Sequence, residues 1–126
     1  MTIGSYLVAR AARLSPREGR ALRERDIFVP MRDGVRLKAE LHHPARPGTY
    51  PTLLMRVPYG FRGFGSAATA FAERGYNVLI EAVRGTGGSE GQFDPLIHER
   101  DDGLDTIAWI KAQPWFDGRL GTTGPS

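Results

Sequence analysis

Between residues 35 and 42 the chain alternates strictly. Val35, Leu37, Ala39 and Leu41 fall on one face, and Arg36, Lys38, Glu40 and His42 on the other. A period of two with one apolar face predicts a half-buried antiparallel strand. Just before it, Asp26-Ile27-Phe28-Val29-Pro30 reads as a short strand, and Met31-Arg32-Asp33-Gly34 puts an Asp-Gly turn signal between the two, so a hairpin is predicted. Residues 52–57, Thr-Leu-Leu-Met-Arg-Val, form an almost continuous apolar run, as expected of a strand covered on both sides, and the run ends in Pro58-Tyr59-Gly60. Residues 66–74 have helical composition and stop at Gly75, a C-terminal cap signal. Residues 76–80 predict the next strand, followed by a glycine-dense loop over 84–91. The strongest helix spans 101–113, with Leu104, Ile107, Ala108 and Ile110 expected to face inward, acids in its first turn and Pro114 just beyond. Asp117-Gly118 is expected to turn the chain into a weak strand over 120–123 that leads to Gly124-Pro125-Ser126.

The start of the chain follows a different pattern. Residues 5–14 predict a short helix with an imperfect apolar stripe, stopped by Pro16, and residues 17–25 a further short helical stretch interrupted at Gly19. The order is therefore hairpin, strand, helix, strand, helix, strand. This predicts an α/β fold in which an antiparallel hairpin leads into a parallel sheet with crossover helices. A basic helical arm over residues 1–25 precedes a body over 26–126.

Charge sharpens that division. Residues 1–25 carry six arginines against Glu18 and Glu24, a net +4, whereas residues 26–126 carry eleven basic and twelve acidic side chains, a net −1. A basic arm can meet nucleic acid or anionic lipid, and a non-catalytic interaction protein using that arm is the alternative function. A solvated helix face is the preferred reading, and no nucleic-acid partner is expected. The chain has no cysteine, so disulfides and cysteine-based metal or redox sites are excluded. No run reaches the roughly 18 apolar residues of a membrane span. Residues 3–9 are too short and broken for a signal peptide, so a cytoplasmic location is expected.

Ligands of open α/β sheets gather at the carboxyl ends of the strands. There, Gly124 stands two residues before Ser126, which is the first half of the G-x-S-x-G pattern that bends a strand sharply into a helix and presents a serine nucleophile. The plain alternative is a serine without a role. Gly87-Gly88-Ser89-Glu90-Gly91 completes the same pattern, but no strand abuts Ser89 and Gln92-Phe93-Asp94-Pro95 cannot begin a helix, so Ser89 reads as structural. Gly85-Thr86-Gly87 begins like a dinucleotide fingerprint, yet Glu90 occupies the third glycine position, and there is no P-loop. Tyr59, at a strand end, could aim its phenol at a developing oxyanion, or simply pack on a loop. His42 and His43 point to opposite faces, His98 lacks the spacing of a zinc helix, and Asp101, Asp102 and Asp105 read as acids complementing the helix dipole. Neither a metal nor a cofactor is implied.

Taken together, Met31-Arg32-Asp33-Gly34-Val35, Arg56-Val57-Pro58-Tyr59-Gly60, the run from Arg84 through Gly91, Trp115-Phe116-Asp117-Gly118-Arg119 and Gly124-Pro125-Ser126 resemble the successive landmarks of the cocaine esterase and X-prolyl dipeptidyl peptidase family of α/β-hydrolases. The resemblance covers residues 25–126. It implies a Ser-Asp-His triad acting on small-molecule esters or amides through an acyl-enzyme. Ser126 would be the nucleophile, and Tyr59 the side-chain oxyanion donor beside the backbone N–H that follows Ser126. Relatives often carry an acid two residues before the Arg-Gly pair, where this chain has Ala82. In this fold the triad acid and histidine follow the serine, and all three histidines here precede Ser126. The expectation is an N-terminal piece of such an enzyme, ending at its nucleophile and inactive by itself.

Overall fold

A computed structural model describes residues 2–11 and 15–124 of the chain. The elements run α1 (Ile3–Ala11), β1 (Ala21–Pro30), β2 (Arg36–Pro44), β3 (Tyr50–Val57), α2 (Gly65–Ala72), β4 (Asn77–Ala82), α3 (Glu99–Lys111) and β5 (Phe116–Thr122). They build one five-stranded mixed sheet in the order β1-β2-β4-β3-β5. β1 and β4 both pair antiparallel with β2, while β3 pairs parallel with β4 on one side and with β5 on the other. The predicted α/β architecture, a hairpin feeding a parallel sheet, is the one observed.

The topology follows from the handedness of crossovers. From β3 the chain passes through α2 to β4 in one direction, then through α3 back past β3 to β5 in the other. Right-handed crossovers taken in opposite directions put their helices on opposite faces of the sheet. Two apolar cores result. Leu37, Ala39 and Leu41 of β2 meet Leu54, Leu79 and Ile110 on the α3 side. Met55, Val57, Val78 and Ile80 meet Ala68 with Phe61, Phe64 and Phe71 on the α2 side. The unbroken apolar reading of residues 52–57 is thus explained, because successive side chains of β3 enter different cores.

The structure differs from the sequence reading in three places. Residues 17–25, read as helical, contain no helix: 17–20 are irregular, and 21–25 are the first half of β1 and pair with β2 through Ala21↔Pro44 to Glu24↔Leu41. A bulge after Glu24, with Asp26 at φ 56, sets Arg25 and Asp26 against Glu40 alone and interrupts the alternation that would have shown a ten-residue strand. Next, Asp117-Gly118 lies inside β5 rather than ahead of it. Gly118 does take the left-handed φ of 97 that the turn signal implied, but the sheet absorbs it as a register shift opposite Tyr50 and Thr52. Last, α3 buries Asp102, Thr106 and Ile110, whereas Leu104 is 45% exposed and Ala108 is exposed. The inward stripe of α3 is largely polar, and the reason lies in its partners on the sheet.

Candidate functional site

Opposite α3 lies Glu81, near the end of β4 and fully buried. Arg56 of β3 sits beside it in the parallel register and donates Nε–H to Oε1 at 2.8 Å, while the Thr106 hydroxyl of α3 donates to both carboxylate oxygens at 2.9 and 2.8 Å. Burial pushes the Glu81 carboxyl up and Arg56 pulls against it. The second guanidinium arm of Arg56 reaches Glu99 at 2.9 Å, tying the first turn of α3 to β3.

A second arginine organises the loop after β4. Arg84, 8% exposed, donates to Asp102 at 2.9 and 2.8 Å and to Asp33 of the hairpin turn at 2.8 Å. Its guanidinium holds the Asp33 carboxyl below the usual carboxylate range. Asp105 pairs with Arg32 at 2.8 Å. Asp102 and Asp105, read as dipole acids, therefore pin the hairpin and the glycine loop to α3.

Ser89 uses its hydroxyl fully: it donates to the Ala82 carbonyl at 2.7 Å and accepts the Lys38 N–H at 2.8 Å. The Glu90 N–H bonds the Arg36 carbonyl at 2.9 Å and its carboxylate accepts the Arg36 N–H at 2.9 Å. Residues 89–90 thus continue beside β2 where β4 has ended. This docking matches the structural reading of Ser89, and the next helix begins only at Glu99. Two glycines permit the loop's path. At Gly85 (φ 78) a Cβ would meet the Gln92 carbonyl carbon at 2.6 Å, and at Gly87 (φ 55) it would lie 2.7 Å from the Ala82 Cβ and 3.2 Å from Gly60 Cα. The small Ala82 side chain makes room for that approach, so the glycine loop lies against the Tyr59-Gly60 turn.

Tyr59 follows β3 at the end of the parallel strands and is 64% exposed. There the chain leaving β3 turns toward the α2 face and the chain leaving β4 toward the α3 face, which is the divergence where such sheets bind ligands. β5 arrives at the same end: Thr122 is level with Leu54, and the Thr123 N–H bonds the Leu54 carbonyl at 3.0 Å. A cleft of about 660 Å³ beside it is lined by Arg56, Glu99, Thr122, Thr123 and Gly124. Ser126 lies outside the described residues. His42 and His43 are at the other end, because His42 pairs with Val78, only the second residue of β4. Among the described residues no three His, Asp or Glu side chains form a metal-holding group, and no helix is long and apolar enough to cross a membrane.

Sheet order, alternating crossover faces and loops converging where β3, β4 and β5 end define an α/β-hydrolase, here its first five strands. The comparisons narrow this further. The chain belongs to the S15 family of X-Pro dipeptidyl-peptidases, whose family model matches residues 33–126. It is 41% identical over 107 residues to the cocaine esterase of Rhodococcus sp. (strain MB1 Bresler), covering 80% of this chain and 19% of that protein. A CocE/NonD family hydrolase from Staphylococcus aureus superposes with a TM-score of 0.72 at 25% identity, over 82% of this chain and 22% of its own. An aminopeptidase from a marine sediment Thaumarchaeota archaeon superposes at 0.71 with 26% identity, over 90% of this chain and 23% of its own. The chain spans about a fifth of the length of these relatives.

Proposed function

We propose that residues 1–126 supply the nucleophile and one oxyanion donor of a serine hydrolase that opens small-molecule esters or amides through an acyl-enzyme. The observation that supports this most is the parallel pairing of β3 with β5 in a chain of this family. It carries Gly124 toward the sheet end at which β3 leads into Tyr59. On this reading Ser126 Oγ attacks the substrate carbonyl carbon, its proton passes to a histidine base, and the leaving alcohol or amine departs as the acyl-serine forms. The Tyr59 hydroxyl and the backbone N–H following Ser126 donate to the oxyanion. The base and its orienting acid follow the serine in this fold, so they belong to sequence beyond residue 126. The names of the relatives include both an esterase and an aminopeptidase, which supports acyl transfer as the shared chemistry.

Fluorophosphonate labelling of a protein carrying this sequence together with a downstream acid and histidine tests the assignment. Ser126→Ala should abolish labelling, and Tyr59→Phe should lower kcat by about 10²–10³ with KM little changed. Labelling that survives Ser126→Ala removes the assignment.

A further inference from the structure

On the α2 side of the hairpin an open pocket of about 470 Å³ lies between α1, α2, β1 and β2. Thr2, Gly4, Arg23, His42, Ser66 and Thr69 line it. His42 is 2% exposed, and neither ring nitrogen has a hydrogen-bond partner among the described residues. Burial, aided by His43 and Arg25, pushes its pKa down to about 4, so at neutral pH the ring offers one donor and one acceptor, both unused. Glu40 Oε2 stands 3.7 Å from Nε2, beyond hydrogen-bond reach, and lines an adjoining cleft with Arg25 and Arg62, the wall between the two being Arg23, Gly65 and Ser66. Arg23 is the direct cross-strand partner of His42, so both side chains rise on the same face of the sheet. α2 has no side-chain cap at Phe64, and among the described residues no acceptor meets the N–H groups of Gly65 and Ser66 at the pocket wall.

A buried imidazole with unused nitrogens, an arginine on the same sheet face and an uncapped helix N-terminus together suit an acceptor-rich oxyanion. We propose that this pocket binds a small tetrahedral oxyanion of the phosphate type, held by the Arg23 guanidinium, the first-turn N–H groups of α2 and one ring nitrogen of His42. The site is independent of the hydrolase reading.

The test is an NMR titration of the full chain at neutral pH with inorganic phosphate, against sulfate and chloride at matched ionic strength. The Ser66 amide and the His42 imidazole report binding. Saturable shifts at both are expected with phosphate and with sulfate, and none with chloride. Arg23→Gln removes an exposed side chain and should weaken phosphate binding about tenfold. His42→Leu should weaken it similarly, and if that variant fails to fold, Arg23→Gln carries the test by itself. Shifts that chloride reproduces, or an Arg23→Gln variant that binds like the parent, would each overturn the proposal.

Discussion

Single side chains in this domain carry more polar work than their positions suggest. His42 continues the polar face of β2, yet α1 and α2 cover it, and burial holds it neutral with a pKa of about 4. Its folded pKa lies below its unfolded value of 6.5, so between the two the unfolded chain binds the extra proton. Stability from this residue is therefore complete above about pH 6.5 and is lost as pH falls toward 4, a change on the order of 1–3 kcal/mol. Urea unfolding at stepped pH should show that decline, and His42→Gln should flatten it within that window. Arg56 and Glu81 form the other consequential pair. Arg56→Met would strand a fully buried carboxylate and should cost about 3–5 kcal/mol, whereas Arg56→Met combined with Glu81→Leu should recover much of that loss. A double variant no more stable than the single one would show that the charge on Glu81 is not what the single variant exposes.

Among the elements, the loop after β4 is held more firmly than its glycine content implies. Arg84 anchors its start to two carboxylates, and Ser89 and Glu90 dock its far side on β2. Ser89→Ala leaves the Lys38 N–H and the Ala82 carbonyl without that hydroxyl and should destabilise by about 1–3 kcal/mol. Amide exchange is expected to rise first at Lys38, Ser89 and Glu90, and protection there equal to the parent's would mean that the hydroxyl is dispensable to the loop. α3 shows the same logic from the other side. Its helical span was legible from composition, first-turn acids and Pro114. Its buried face was not, because Asp102 and Thr106 turn inward only to meet Arg84 and Glu81, residues 18 and 25 positions away.

At the scale of the whole molecule, the described residues assemble the sheet end where the proposed chemistry would take place, and all three histidines precede Ser126 in the chain. His42 and His43 lie near the opposite end of the sheet, and the His98 ring is 3.7 Å from Asp94 in the loop before α3. A polypeptide of these residues assayed alone on activated esters is expected to show no turnover above the uncatalysed rate. Turnover abolished by Ser126→Ala in that polypeptide would overturn this expectation. The sequence by itself determined the hairpin, the alternation of strand and helix, the Tyr59 turn and the structural role of Ser89, since period, turn chemistry and local spacing are short-range properties. Only the tertiary structure decided that β4 lies between β2 and β3, that residues 21–25 are strand, that Gly118 is taken into β5, and that His42 and Glu81 are buried. Those outcomes depend on which distant segment supplies a hydrogen-bonding edge or a counter-charge, and no local pattern encodes the identity of that neighbour.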